Sequence, residues 1–266
     1  MSDPLVALTV AGADPAGGAG LAADLRTFAS LGAHGTFALT VVTAQDTTGV
    51  HRALPLPTDL VVDQIASVTG DLTVVAAKTG LLLVPDTVRA VAVLARDGLL
   101  PDLVVDPVLA DRHGRPLAGD ELLAAYRDEL LPAGRIVTPN VHEARLLTGL
   151  PVEDAAGMGD AAMALVELGV EAAMITGGAL PGADVIDVIC YAGEVTELRR
   201  PRLDTVNDHG SGDTLSSALA VRLGADDDVL TAVRTAVDVV DAALRGGAEW
   251  RLGAGHGPLD QLGWNR

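Results

Sequence analysis

The sequence predicts an α/β fold with a mostly parallel central sheet covered by helices. Three observations carry that prediction. Short apolar runs without alternation recur along the chain, which suits strands buried on both faces. Helical patterns fall between them, so the order reads βαβα through most of the length. Most runs end in polar or glycine-rich turns of the kind that link a strand to a helix.

The strand-like runs are 5–11, 36–42, 74–77, 103–105, 136–137 and 172–175. Helical patterns occupy 21–31, 59–68, 86–96, 120–130, 141–147 and 156–168. Segments 185–191 and 194–198 flank Ala192-Gly193, the signature of a hairpin, placed here at a sheet edge. After a loop at 201–209 the chain reads as helical to about Gly246. No linker, repeat or low-complexity tract divides residues 1–266, so one domain is expected.

Composition narrows the partners. A formal net charge of −18 opposes nucleic acid and anionic membrane, both of which need basic patches. No apolar run reaches the ~20 residues of a membrane span. The start, Met1-Ser2-Asp3-Pro4, has no basic region, so no signal peptide and a soluble, cytoplasmic protein are expected. One cysteine, Cys190, excludes an internal disulfide framework and a cysteine-rich metal site. Of 18 basic residues only one is a lysine, Lys78.

The most informative segment is Asn207-Asp208-His209-Gly210-Ser211-Gly212-Asp213-Thr214, which runs into a helix-forming stretch. Its glycines let the backbone turn so that free N–H groups at a helix start point at one anion. A carboxylate there, Asp213, is costly beside a bound phosphate, which points to proton acceptance next to a transferred group. The alternative is a helix cap made by Ser211 or Asp213.

Ligands of open α/β sheets bind outside the carboxyl ends of the strands. Those ends deliver Gly12-Ala13-Asp14, Thr43-Ala44-Gln45-Asp46, Lys78-Thr79-Gly80, Asp106-Pro107-Val108, Thr138-Pro139-Asn140 and Thr176-Gly177-Gly178. Asp106 and Glu143, on neighbouring strand ends, are able to hold Mg²⁺ through its waters, although Asn140 with Glu143 also reads as a capping box. Lys78-Thr79 fails as a Walker loop, and Asp14 breaks a dinucleotide-binding glycine pattern. No histidine pair has metal-ligand spacing, and only His209 stands beside the anion loop.

In order and spacing, Ala11 to Gly20, Thr43 to Asp46, Asp106 to Leu109, Thr138 to Glu143 and Asp208 to Thr214 resemble the hydroxymethylpyrimidine/phosphomethylpyrimidine kinases of thiamine biosynthesis, in the ribokinase-like superfamily. The resemblance runs from Leu5 to Gly255-His256-Gly257-Pro258. It implies a three-layer ribokinase-like fold and ATP-dependent phosphorylation of a primary alcohol on a pyrimidine, and it leaves open whether the monophosphate is also a substrate. Gly210, Ser211 and Gly212 would form the anion hole, and Asp213 would accept the alcohol proton. Asp106 and Glu143 would position Mg²⁺, while Asn140, Thr176 and Gly178 would lie at the nucleotide. The carboxamide of Gln45 would pair with the amine and ring nitrogen of an aminopyrimidine. Asp14, Ala19, Thr43, Leu81 and Val108 would complete that pocket. A homodimer is implied, as is common among such kinases.

Four positions depart from the family. Asp213 stands where cysteine is common, Thr176 where a phosphate-contacting lysine is common, and Leu81 and Leu109 replace methionines. They keep a pyridoxal or pyridoxine kinase, and a non-catalytic binder, as alternatives.

Overall fold

The computed structural model describes residues 3–265 apart from Arg112 and Ala118. Met1 and Ser2 of the leader reading lie outside the described residues. The strands are β1 (Val6–Ala11), β2 (His34–Leu39), β3 (Val41–Asp46), β4 (Gly49–Pro55), β5 (Val74–Thr79), β6 (Val104–Val105), β7 (Ile136–Val137), β8 (Ala172–Ile175), β9 (Asp184–Tyr191) and β10 (Glu194–Pro201). The helices are α1 (Gly20–Ser30), α2 (Thr58–Asp71), α3 (Pro85–Arg96), α4 (Asp120–Ala125), α5 (Val141–Thr148), α6 (Ala155–Glu167), α7 (Ser211–Gly224) and α8 (Val229–Gly247).

One eight-stranded sheet has the order β10-β9-β8-β7-β6-β5-β1-β2. Pairing is parallel from β2 through β8, and β9 and β10 add as an antiparallel hairpin at the edge, as expected. Successive strand residues face opposite ways, so the sheet has two apolar faces. Leu8, Val10 and Ala77 pack with residues of α2 to α6, whereas Ala7, Ala76 and Val104 pack with residues of α1, α7 and α8. The result is three layers with buried parallel strands, which is why those strands read as continuous apolar runs.

The run 36–42 is not one strand. Thr40 breaks it, its N–H donating to Ala11 O at 3.0 Å and its hydroxyl to Leu81 O at 2.6 Å. The chain leaves the sheet there, and β3 pairs with β4 in a separate two-stranded ribbon. Thr43 to Asp46 are therefore strand rather than turn. The whole of β4 is exposed, so it lacks the one-sided burial that makes a strand legible. The single helix read after residue 209 is two, because Asp228 caps α8 through the N–H of Thr231 at 3.0 Å. The helix read at 120–130 passes after Ala125 into a π-helical turn, Tyr126–Leu130.

The chain places β2 on one side of β1 and β5 on the other, which opens a crevice above their carboxyl ends. The loop after β1, the end of β5 and the loop after β6 meet the start of α7 at that crevice.

Candidate active site

Gly210 precedes α7 in the left-handed region, at φ 92°, and a Cβ there would lie 2.0 Å from Gly18 O. Only glycine permits that approach. No side chain caps α7, so neither Ser211 nor Asp213 serves as the cap weighed above. Ser211 N–H donates to Asp208 O at 3.2 Å, while no acceptor among the described residues takes the N–H groups of Gly212 and Asp213. A helix start is thus left open, with its dipole available to an anion. Asp213 instead turns back, its Oδ1 accepting from Gly20 N at 3.0 Å.

The glycine-rich loop after β1 is organised by Asp14. Its carboxylate accepts from the N–H groups of Ala16, Gly18 and Ala19 at 2.8–2.9 Å and faces His209 Nε2 at 3.2 Å. Burial pushes this carboxyl up, but the His209 and backbone hydrogen bonds outweigh it and hold it below its ordinary value. His209 Nε2 also lies 3.1 Å from Gln45 Nε2 on β3. A Cβ on Gly18 would collide with the His209 ring at 2.3 Å, so the two loops interlock. Thr43 ties the ribbon to the same loop by donating to Ala13 O at 2.8 Å.

Below α7 lies a buried charge cluster. Asp106, just past β6, accepts from Ser216 Oγ at 3.1 Å, and burial with the charge of Asp213 pushes its carboxyl up to about 7 despite the opposing Lys78. Glu143 accepts from Leu109 N at 3.0 Å and Asn140 N at 2.9 Å; burial and the charge of Asp106 raise it to about 8. The capping box with Asn140 is therefore real, and the same carboxylate also anchors the loop after Asp106. Lys78, at the end of β5, is fully buried and donates to Asp24 Oδ1 at 2.9 Å. Its ammonium stands 3.8 Å from Asp213 Oδ1 and 3.9 Å from Asp106 Oδ2. Burial opposes its charge, but these carboxylates raise its pKa well above an ordinary lysine.

The remaining candidates spread around this centre. Val108 holds φ 41°, a costly conformation for a β-branched residue and one that clusters at binding sites. Leu81 sits beneath Gly12, where a Cβ would be 3.5 Å from its Cδ2. Asn140 and Thr176 are joined by a parallel bridge, with Thr176 N donating to Pro139 O at 2.9 Å. Gly178 is exposed, with open space where a Cβ would be.

Sequence reading placed Lys78 at a strand end without a role and missed Asp24, Ser216 and Ser217 as site residues. The available signal was a lone lysine inside an apolar run and a carboxylate on the helix after the glycine loop. It also missed Arg202, which donates to the carbonyls of Gly178, Leu180 and Gly182 and so shapes the loop after β8. Among the described residues no group of three His, Cys, Asp or Glu side chains is arranged to hold a metal.

A mostly parallel three-layer sheet, an open helix start and carboxylates beneath it define an α/β kinase, and known proteins agree. The phosphomethylpyrimidine kinase family matches residues 14–260. The hydroxymethylpyrimidine/phosphomethylpyrimidine kinase of Streptomyces coelicolor is 43% identical over 264 residues, covering 99% of this chain and 96% of that one. Among solved structures, an ADP complex of Bacillus subtilis pyridoxal kinase superposes with a TM-score of 0.90 at 32% identity, covering 99% of both chains. Phosphomethylpyrimidine kinase of Clostridium difficile superposes with a TM-score of 0.80 at 29% identity, covering 90% of this chain and 99% of that one. The chain belongs to the phosphomethylpyrimidine kinase family.

Proposed function

We propose that this kinase transfers the γ-phosphoryl group of ATP to the hydroxymethyl group of 4-amino-5-hydroxymethyl-2-methylpyrimidine, and then to the resulting monophosphate, in thiamine biosynthesis. The observation that carries this reading is the start of α7, where open N–H groups and an uncapped carboxylate share one turn. The alcohol oxygen bonds to the phosphorus, ADP leaves, and the alcohol proton passes to Asp213. The open N–H groups of Gly212 and Asp213 stabilise the charge on the transferring group, while Gly210 and Ser211, whose N–H is held by Asp208 O, shape the turn that presents them. Gln45 pairs with the aminopyrimidine edge, Asp14 shapes the loop that carries Ala19, and Thr43, Leu81 and Val108 close the pocket around the ring. Asn140, Thr176 and Gly178 flank the nucleotide.

The residues fit Mg²⁺. Asp106 and Glu143 supply the oxygen donors a hard cation prefers, bound through its water shell. The hydroxyls of Thr79, Tyr126 and Thr138 are buried without partners among the described residues; those threonines flank β6, and Tyr126 lies within electrostatic reach of Asp106 and Glu143. When bound, the ion neutralises phosphate charge. Asp106 and Glu143 orient its waters.

The chain acts as one domain and assembles as a homodimer in this reading. Phe37 of edge strand β2 and Val42, Val50 and Leu54 of the ribbon are exposed apolar residues on adjoining strands, an edge that a second copy would cover. A cytoplasmic setting accords with Cys190 as a free, buried thiol.

An ADP-release assay across hydroxymethylpyrimidine, its monophosphate, pyridoxal, pyridoxine and ribose tests the assignment. The highest kcat/KM is expected for the two pyrimidines. Pyridoxal kinase is the second reading, favoured by the TM-score of 0.90 to the Bacillus enzyme, and faster turnover of pyridoxal would install it.

A further inference from the structure

We infer that Lys78 is a positioning residue for the phosphoryl transfer, a fixed internal cation that holds Asp106 and Asp213 in their working arrangement from beneath. The inference rests on the roles proposed for those two carboxylates.

The ammonium is built into the floor of the site. Its seat, Asp24, is itself buried and accepts from Thr9 Oγ1 and Ser217 Oγ, both at 2.7 Å. Four elements thus fix one nitrogen: β1 through Thr9, α1 through Asp24, β5 through Lys78 and α7 through Ser217. The Lys78 side chain is 0% exposed, against 9% for Asp106 and 17% for Asp213, so those carboxylates screen it from the pocket. Among the described residues its one hydrogen bond goes to Asp24. At 3.8 and 3.9 Å it acts on Asp213 and Asp106 through its charge, and its remaining protons meet either carboxylate after a displacement of well under an ångström.

Stability alone does not account for this lysine. A buried ion pair is weak evidence for stability, because an apolar replacement of similar size is often as good. Composition adds an independent argument. The chain has 18 basic residues and uses arginine at 17 of them, keeping lysine only here. A guanidinium is a broad planar fork, whereas an ammonium is a compact point charge. Space is short: a Cβ on Gly80 would lie 3.7 Å from Nζ and 3.0 Å from the Ala11 Cβ. Three carboxylates surround one ammonium, and the reaction brings further negative charge above them. A fixed cation placed between the proton acceptor and the neighbouring carboxylate keeps both from drifting apart as that charge arrives.

Three variants test the inference: Lys78→Met, which keeps the bulk and removes the charge; Lys78→Ala, which leaves room for a small cation; and Asp24→Asn, which removes the seat. The assay uses whichever alcohol the wild-type enzyme phosphorylates, so a wrong substrate assignment leaves the test intact. A wrong proton acceptor shows separately as full turnover in Asp213→Asn. For Lys78→Met, kcat falls roughly 10²-fold, comparable to loss of one preorganised electrostatic group, while calorimetric affinities for alcohol and nucleotide stay within about threefold. In Lys78→Ala, n-propylammonium at constant ionic strength restores kcat and n-propanol does not. Asp24→Asn lowers kcat at least about tenfold with binding kept, and decides the matter if neither Lys78 variant folds. Lys78→Met with wild-type kcat, rescue by propanol as effective as by propylammonium, or a folded Asp24→Asn with full kcat overturns the inference.

Discussion

Asp14 and His209 lie 195 positions apart in the chain and meet at 3.2 Å, Oδ2 to Nε2. The same ring nitrogen faces the side-chain amide of Gln45 at 3.1 Å. One imidazole nitrogen carries at most one proton, and Asp14, held ionised, accepts it. The side-chain amide of Gln45 packs against that same nitrogen, so its orientation follows from the ring beside it. His209 thereby sets how Gln45 presents its donor and acceptor. Replacing His209 by Phe is expected to raise KM for the alcohol about tenfold, the value of one hydrogen bond, with KM for ATP unchanged. Steady-state kinetics with each substrate varied checks it.

Asp213→Asn keeps the shape of the side chain and its contact with the Gly20 N–H, but removes its basicity. Turnover is expected to fall roughly 10²–10⁴-fold, the range for loss of a general base. Calorimetry is expected to find both substrates still bound. Near wild-type turnover would take the proton-accepting role away from Asp213.

Glu143 makes stability depend on pH. Its carboxyl is raised to about 8 in the folded protein, so between the ordinary carboxyl value and that point the folded state holds the proton and the unfolded state does not. Stability therefore falls as pH rises through that window. Relative to Glu143→Gln, the wild type is expected to melt progressively lower from about pH 5 to about pH 8.5 in metal-free buffer. Magnesium competes with the proton and is expected to raise the wild-type midpoint more at the higher pH. Thermal melts of both proteins across this range, with and without chelator, provide the comparison.

Gly210→Ala places a Cβ against Gly18 O at a φ that side chains rarely adopt. The two loops must part, which is expected to cost roughly 2–4 kcal/mol. Urea unfolding measures that loss. Because the parting loops carry Asp14, His209 and Asp213, activity is expected to fall further than the unfolded fraction explains. Loss of activity matching only the unfolded fraction would separate the loop contact from the chemistry.

Much of the candidate site was legible because it is written locally. The segment 207–214 spells its turn and helix start in adjacent residues, and the strand-end turns lie next to the apolar runs that precede them. The capping box of Asn140 and Glu143 likewise lies within four consecutive residues. What stayed hidden is which distant residues pair. The contact of Lys78 with Asp24 spans 54 positions, and that of Ser217 with Asp24 spans 193. The ribbon strand β4 escaped for another reason, since neither of its faces is buried and period-two patterning arises only where one is.

By itself, the sequence determined the α/β class, the βαβα order and which turns carry polar groups, because burial on two faces and turn chemistry act over a few neighbouring residues. The tertiary structure alone decided that β1 lies between β2 and β5, and so which turns share the crevice. Strand order depends on pairing between distant segments, which no residue pattern encodes. From that order come the two decisive arrangements, Asp14 with His209 above and Lys78 among three carboxylates below.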